Sequence, residues 1–426
     1  MSREAQGEEV PGVNLEGACA LPREESPDAE PRADAEGAQG ARGSAEVEQA
    51  RQATGPTELG QEGLIITEAR LIDPRRIELY WSAQVTGADR ESAFEVTVDG
   101  KPVALTHWTL EDDWSYGTIY QPKYQRTTVA LEKPVDTSRP ELVRVRVVGE
   151  VMDFADRVAD TARTYACTYD PYYKNFLTSA SGIVIKGPEG IGEPYLALAA
   201  SIVDTMLAKQ PAIAAILASI GSDVAMNGLK EDIFGLPEVR LGQRCIQRRV
   251  GGFGGEASNP TSCMYSNNII RLRTGRYSTC YPNELIMCHE LAHAIHLIGM
   301  RRLDDQTLWN KVQDAYDHSV ALGLWPNSYA ASNCEEYFAT ITTCWYDVFQ
   351  EGVDGQWDGV RGPVNTREEL AEYDPVAYAL MDEVYTRDYL PYPWDHNPDD
   401  YDIRGVARRD LSRERPGVKL TLVDFQ

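Results

Sequence analysis

The sequence predicts an α+β protein, and three observations lead to that prediction. Short runs rich in β-branched and aromatic residues, separated by turn residues, fill the stretch from about residue 63 to 165. From about residue 170, strand-like and helix-like patterns alternate, and helical patterns dominate after residue 285. The first 60 residues contain no aromatic side chain. We therefore expect a disordered tail, an all-β unit and a mixed unit, in that order.

Composition and charge exclude several classes of function. The chain has 426 residues, of which 42% are hydrophobic and 25% charged, and its net charge is -25. Phosphates would be repelled by such a charge, so we expect no nucleic-acid partner. No apolar run reaches the roughly 18–20 residues that cross a bilayer, so we expect no membrane span. No basic start followed by an apolar core opens the chain, so no secretory signal is visible. The sequence leaves the oligomeric state open.

The first predicted element is an acidic tail, residues 1–62. Its first 60 residues carry 13 acidic and 5 basic side chains and are rich in Ala, Glu, Gly and Pro. Such a segment buries too little apolar surface to offset the entropy of ordering, so we expect it to be disordered.

The second predicted element is an antiparallel β-sandwich, residues 63–165. Asp99 and Gly100 form a good two-residue hairpin signal between two strand-like runs. The spacing of short strands is typical of a sandwich and resembles the Ig-like accessory modules of extracellular hydrolases. The predicted strands cover residues 64–67, 76–81, 94–98, 127–131 and 142–148.

The third predicted element is the mixed unit, residues 170–395, followed by a C-terminal extension, residues 396–426, with a possible strand at 419–425. A glycine-rich segment, residues 251–255, reads as a flexible loop, because no Gly-Lys-Ser/Thr follows it to make a phosphate loop. Strands are expected at 182–185, 222–226 and 268–272, the last lining a substrate cleft, and helices at 193–209, 211–220, 307–322, 332–349, 366 onward and 375–386.

Cysteine spacing leaves the redox compartment open. Cys245, Cys263 and Cys280 fall in one loop-rich stretch and could pair if the compartment is oxidising. Cys334 and Cys344 share a predicted helix and lie about 15 Å apart along it, too far to form a disulfide with each other.

The strongest chemical signal is His-Glu-x-x-His at residues 289–293. His289 and His293 are four residues apart, so on a helix both imidazoles lie on one face and can bind one metal ion. Glu290 lies one step round that helix, where a carboxylate can take a proton from water at the metal. Ser278 or Thr279 is expected to cap this helix, Pro282 to lie in its first turn, and Gly299 to end it.

Two histidines leave the metal site incomplete, because a catalytic zinc needs a third protein ligand and one open position. The metzincin pattern requires Gly at 296 and His at 299, and the chain has the reverse, His296 and Gly299. A glutamate from a following helix remains. Glu335 and Glu336 are adjacent and about 100° apart around their helix, so only one can face the ion. His296 lies on the face of the two ligands and is expected to be a structural residue or to support a ligand from behind, rather than to bind the ion.

These motifs resemble the catalytic domain of anthrax lethal factor-like peptidases. The resemblance rests on the residues that follow His-Glu-x-x-His. Tyr329 is followed, after six residues, by Glu336, Tyr337 and Phe338. It implies a zincin-like fold of the glutamate-ligand type, with Glu336 as the third zinc ligand. It also implies that Tyr329 points into the site and stabilises the developing oxyanion.

About half of the chain is also similar to a set of uncharacterised, mostly secreted bacterial and fungal metallopeptidases. In those proteins a glycine-rich loop, Asn-Pro, two cysteines and His-Glu-Phe-Ala-His-x-Ile-His follow one another in the same order. That resemblance implies secretion, although the expected signal peptide is missing. Here the corresponding residues are 251–255, Asn259 and Pro260, Cys263 and Cys280, and 289–296, with Leu291 in place of Phe.

The expected function is that of a zinc-dependent endopeptidase acting on a peptide or protein substrate. Zinc would be held by His289, His293 and Glu336, with Glu290 and Tyr329 as catalytic residues. Two alternatives stay open. One is an interaction or adhesion protein whose metal domain is inactive or structural, and the other is zinc-dependent hydrolysis of a substrate that is not a peptide.

Overall fold

The computed structural model describes residues 63–110, 125–169, 172–239, 251–257 and 259–395, and this part of the chain is α+β. The predicted tail, C-terminal extension and strand at 419–425 lie outside those residues. The described strands are β1 (Ile66–Asp73), β2 (Arg76–Trp81), β3 (Val85–Thr86), β4 (Phe94–Val98), β5 (Lys101–Val103), β6 (Leu105–Leu110), β7 (Arg126–Leu131), β8 (Val143–Val147), β9 (Met152–Asp153), β10 (Thr164–Ala166), β11 (Thr168–Tyr169), β12 (Asn175–Thr178), β13 (Val184–Gly187), β14 (Asp223–Met226), β15 (Gly252–Phe253) and β16 (Thr261–Met264). The described α-helices are α1 (Glu193–Leu207), α2 (Pro211–Ile220), α3 (Ser266–Ile269), α4 (Ile286–Ala294), α5 (Thr307–Leu322), α6 (Cys334–Trp345), α7 (Arg367–Tyr373) and α8 (Pro375–Val384).

Two sheets share one hydrophobic core in the N-terminal part of the described chain. Their strand orders are β11-β1-β2-β7-β6 and β10-β8-β4-β5. Trp81 from the first sheet and Phe94 from the second meet in that core with ring centroids 6.2 Å apart. Neighbouring strands are antiparallel except β1 and β11, which are parallel. Because β10 and β11 belong to these sheets, the sheets extend past residue 165, the expected boundary.

The predicted hairpin between β4 and β5 is confirmed. Val98 pairs with Lys101, and the two turn residues between them, Asp99 and Gly100, have φ of 50° and 76°. Both central residues of this tight turn take positive φ, which is the conformation that matches the twist of the two strands. Four of the five predicted strands in this region begin and end within one residue of the observed ones, whereas β1 covers Ile66–Asp73 in place of the predicted 64–67.

A third sheet with order β12-β13-β14-β16-β15 supports the C-terminal half of the described chain. Its three inner strands are parallel, and the outer strands β12 and β15 run antiparallel to their neighbours. Helix α1 contacts β12 and β13, whereas α4 contacts β15, β16 and α6. The helix with the two histidines therefore lies beside the end of the sheet at which β15 is placed.

A buried ion cluster joins the first sheet to the third. Arg76 Nη2 lies 3.0 Å from Asp223 Oδ2 and 3.2 Å from Glu238 Oε1. Lys186 Nζ lies 2.6 Å from both carboxylates and 3.4 Å from Asp73. All five side chains are at most 2% exposed. The pairing of the two cations with the three carboxylates offsets the cost of removing these charges from water.

Two predictions in the stretch before α4 are wrong. The expected strand at 268–272 is a helical turn, α3, and the expected flexible loop at 251–255 contains the strand β15. Asn268 explains the first error, because its side chain is buried and its Nδ2 donates to the carbonyls of Tyr281 and Glu284. A side chain that bonds to the backbone in this way favours a turn over a strand.

The ends of α4 also differ from the prediction. The helix begins at Ile286, and Asn268 Oδ1 accepts from the Ile286 amide, so Ser278, Thr279 and Pro282 have no part in its cap. At its other end the chain continues through a π-helical turn, Ile295–Gly299. Gly299 has an ordinary helical φ of -64° and is needed for packing, since a Cβ there would lie 2.4 Å from Ile213 Cγ2.

The later helices agree with the prediction to within a few residues. Helices α2 and α5 match it at both ends, α6 is shorter than expected, and the predicted capping box of α7 is formed by Thr366 and Glu369. No disulfide joins Cys263 to Cys280, and Cys245 lies outside the described residues. Cys334 and Cys344 are also free, as their spacing predicts. Among the described residues, no helix is long and apolar enough to cross a membrane.

Candidate metal centre

Two helices that are distant in sequence bring the candidate ligands together. Helix α4 carries His289 and His293, and α6 carries Glu336 in its first turn. The side chain of Asn333 caps α6 by accepting from the Glu336 amide at 2.8 Å. This cap satisfies a free amide of the first turn and fixes the direction in which the Glu336 side chain leaves the helix.

The three donor atoms have the separations that a small tetrahedral site requires. His289 Nε2 lies 3.2 Å from His293 Nε2 and 3.0 Å from Glu336 Oε2. His293 Nε2 lies 3.6 Å from the same carboxylate oxygen. Ligand atoms about 2.0–2.1 Å from zinc at tetrahedral angles are about 3.3 Å apart. The donor set of two nitrogens and one carboxylate oxygen therefore has the geometry of a site that could hold a metal ion.

The charges at this site reinforce one another. Burial alone lowers the pKa of His289, but the hydrogen bond to Glu336 and the carboxylate's charge outweigh it and raise that pKa to about 9. Burial would raise the pKa of Glu336, yet the hydrogen bonds and charges of His289 and His293 hold it well below its usual range. A metal ion at this position would take the place of the His289 proton, because a ligating imidazole must be neutral.

Glu290 lies beside the ligand group without belonging to it. Its side chain is 8% exposed and packs against β15, where a Cβ on Gly252 would lie 2.7 Å from Oε1. Burial raises the pKa of Glu290 to about 7, although His289 and His293 act in the opposite direction. A carboxyl group with a pKa close to neutrality can both accept and release a proton during a reaction.

Tyr329 lies on the open side of the site. Its ring stacks on His289 with centroids 6.2 Å apart, and its side chain is 45% exposed. Burial of the hydroxyl, together with the carboxylates of Glu336 and Glu290, raises its pKa well above the usual value. A side-chain hydrogen bond to Glu336 acts in the same direction, so the phenol keeps its proton at neutral pH and has that carboxylate as its acceptor.

His296 lies outside the group of three donor atoms. Its ring packs between Trp309 and Phe338, with centroid distances of 4.6 and 5.2 Å, and is 2% exposed. Its Nδ1 has no hydrogen-bond partner, and burial lowers its pKa to about 3. No described hydrogen bond links His296 to a ligand, and the residue lies in the π-helical turn that follows α4, where the charge of His293 acts on it. The expectation that His296 supports a ligand stays a prediction.

Two glycines of the segment 251–255 are needed for the site, although the sequence suggested only flexibility there. A Cβ on Gly252 would lie 2.6 Å from Glu290 Cγ, and one on Gly254 would lie 2.5 Å from His293 Cβ. Gly252 belongs to β15 and Gly254 follows it, and both approach side chains of α4 too closely for a Cβ. The available signal was therefore the run of glycines itself, which lets the backbone approach the helix.

Comparison with known proteins adds little to this geometry. No protein-family profile matches the chain, and no curated protein matches it. Among solved structures, the S-layer protein rSbsC is 14% identical over 33% of this chain and 18% of its own, with a TM-score of 0.22. Domains 1-6 of SbsC match at 14% identity and a TM-score of 0.21, over 32% of this chain and 17% of that one. The N-terminal part of SbsC has the same identity and TM-score, over 32% of this chain and 29% of that one. The match thus spans less than a third of each S-layer chain, and TM-scores this low bear on neither fold nor function.

Proposed function

We propose that the protein is a zinc-dependent endopeptidase whose ion is held by His289, His293 and Glu336. The observation that carries the proposal is the convergence of these three donor atoms, from two helices, beside the buried carboxylate of Glu290. The same proposal includes a zincin-like fold for residues 170–395 and an Ig-like fold for the sandwich before it. A third sheet with an antiparallel strand beside the histidine helix supports that assignment.

The donor set explains which chemistry the site would perform. Zinc bound by three protein ligands keeps a position for water and substrate, makes that water acidic and polarises a carbonyl group. The chain's own part is to fix the ligands, which the caps and helix contacts of α4 and α6 do.

Glu290 supplies the proton transfers. Its carboxylate lies one residue after His289 and is packed against the backbone of β15, so it has little freedom to turn away. In peptide hydrolysis it takes a proton from the attacking water and later gives that proton to the leaving amine. A carboxyl group in a largely buried position transfers protons directly to the reacting atoms instead of to bulk water.

Tyr329 supplies a hydrogen bond to the carbonyl oxygen of the substrate. That oxygen gains negative charge as water adds, and a phenol donor positioned in advance stabilises the charge more strongly than it stabilises the neutral carbonyl. The partial exposure of Tyr329 above His289 agrees with this role, since the ring borders the space open to a substrate.

A metal assay together with a cleavage assay tests the proposal. We expect one zinc ion per chain and cleavage of a diverse peptide library, read by mass spectrometry, that stops when a chelator removes the ion. Glu290→Gln should keep the zinc and lower the cleavage rate by about 10³-fold or more, given the size of general acid–base contributions. The matched control is Glu335→Gln, an exposed glutamate on α6, which should cleave at the original rate.

Two results would overturn the proposal: the absence of stoichiometric zinc, or full activity in Glu290→Gln. Zinc binding without cleavage of any peptide would instead favour the interaction protein with a structural metal domain.

A further inference from the structure

Tyr329 depends on a second segment of the chain for its position. Its backbone amide donates to the carbonyl of Val360 at 2.9 Å. Two residues earlier, the carbonyl of Asn327 accepts from the Gly359 amide at 2.9 Å. Tyr329 begins the short turn Tyr329–Ala331. Backbone hydrogen bonds therefore join the start of this turn to the segment 357–360.

That segment is itself a closed loop. The carboxylate of Asp358 accepts from the amides of Val353, Val360 and Arg361 at 3.2, 2.9 and 2.8 Å. A loop that is bonded internally in this way moves as one piece, so its position relative to α4 is set by the contacts that it makes outside itself.

The outside contact that reaches the site is the ion pair of Arg361 with Glu284. Arg361 Nε donates to Glu284 Oε2 at 2.7 Å, and Nη2 lies 2.5 Å from the same oxygen. Glu284 is 6% exposed and precedes the first residue of α4, Ile286, by two positions. The guanidinium also lies over the ring of Tyr281, 5.9 Å from its centroid.

We propose that Arg361 is a positioning residue of the site, which holds Tyr329 at a fixed distance from α4 through Glu284 and the Val360 carbonyl. This inference rests on the proposed peptidase function. The link runs from the start of the histidine helix to the loop and from the loop to the tyrosine backbone. A guanidinium fixes both distance and direction, because its planar donors point in set directions, whereas an ammonium acts as a point charge.

The kinetic test is a double-mutant cycle on the zinc-loaded protein. Arg361→Met should lower kcat about 10-fold and leave KM within about twofold, since a small misplacement of a transition-state donor affects mainly the chemical step. Arg361→Lys should recover part of that loss. In a Tyr329→Phe background Arg361→Met should cause no further loss, because the hydroxyl that it positions is already absent. Zinc stoichiometry should stay unchanged in every variant.

A second measurement does not depend on activity. Hydrogen exchange in a peptide covering residues 327–332 should be faster in Arg361→Met than in the unchanged protein, because the amide of Tyr329 loses a fixed acceptor. Glu284→Gln, which removes the other half of the pair, should give the same acceleration. The control is Arg387→Met, which breaks an exposed ion pair with Asp382 and should change neither exchange nor kcat.

The two measurements separate the possible failures. Unchanged exchange at 327–332, or multiplicative losses of kcat in the double variant, would overturn the positioning role. A protein that cleaves no peptide but shows the faster exchange would leave the positioning role standing and remove the proposed peptidase function.

Discussion

His289 Nε2 lies 3.0 Å from Glu336 Oε2, although the two residues are 47 positions apart in sequence. The contact depends on the packing of α4 against α6 and on the Asn333 cap, which places Glu336 in the first turn. Because the histidine and the carboxylate belong to different helices, a shift of either helix would separate them. The contact therefore constrains how α4 and α6 pack. The relationship also makes the third ligand testable by a single substitution.

We predict that Glu336→Ala lowers the affinity for zinc by more than about 100-fold. The substitution removes one of three protein ligands and leaves the two histidines alone. Isothermal titration of the metal-free protein with zinc measures this change. Glu335→Ala is the matched control, since Glu335 is the preceding residue of α6 and is exposed. Equal zinc affinity of the two variants would contradict the assignment of Glu336.

We predict that Tyr329→Phe lowers kcat by about 10²-fold and leaves the zinc content unchanged, because it removes one hydrogen-bond donor to the developing oxyanion and no ligand. Steady-state kinetics on a cleaved peptide provide the measurement. Tyr389→Phe is the control, because Tyr389 has the same exposed fraction, 45%, and no contact with the ligand group is described for it. A loss in KM alone would show that Tyr329 binds substrate without stabilising the transition state.

The local parts of this fold were predictable from sequence. Helix α5 was expected at its observed bounds, and it is followed by Gly323, which takes the left-handed conformation common at the end of a helix. The capping box of Thr366 and Glu369 lies within four residues of sequence and formed as expected. The hairpin at Asp99 and Gly100 was equally clear, since positive φ at both turn positions favours these residues. Each of these signals acts between neighbours in the chain.

The misread elements depend on partners far away in sequence. Strand β15 exists because it pairs with β16 and packs on α4, and a two-residue strand of glycine and phenylalanine has no periodicity of its own. Asn268 was read as part of a strand, since the isoleucines after it favour one, whereas its side chain bonds to Tyr281 and Glu284. The ion pair of Arg361 with Glu284 spans 77 positions and left no sequence pattern.

We predict that Gly252→Ala reduces both stability and activity. The new Cβ would lie 2.6 Å from the Cys263 carbonyl and 2.6 Å from Glu290 Cγ, so the strand or the catalytic carboxylate must move. Overpacking of this kind costs about 1–3 kcal/mol in the free energy of unfolding. Urea denaturation and the cleavage rate measure the two effects. Gly190→Ala is the control, because a Cβ there meets no atom within 4 Å. An unaltered cleavage rate in Gly252→Ala would show that β15 can shift without disturbing Glu290.

We predict that His296→Phe keeps the zinc affinity within about threefold, because the imidazole packs between two aromatic rings and its Nδ1 bonds to nothing. Replacement of a residue that supports a metal ligand typically lowers the affinity for the metal about 10–100-fold. His296→Ala provides the contrast, since it leaves a cavity and should lower the free energy of unfolding by about 2–5 kcal/mol. A large loss of zinc affinity in His296→Phe would show that His296 supports a metal ligand.

We predict that Arg76→Met lowers the free energy of unfolding by about 3–5 kcal/mol, because it leaves the buried carboxylates of Asp73, Asp223 and Glu238 with the cation of Lys186 in place of two cations. Urea denaturation, followed by circular dichroism and tryptophan fluorescence, measures the loss. The control is Arg139→Met. The ion pair of Arg139 with Glu141 is about 60% exposed, so this substitution should change stability by less than about 0.5 kcal/mol.

Since Arg76 belongs to β2 and its partners Asp223 and Glu238 follow residue 172, the cluster couples the sandwich to the third sheet. The two probes should therefore give one shared transition in the unchanged protein. Two separate transitions, or equal stability of Arg76→Met and Arg139→Met, would contradict that coupling.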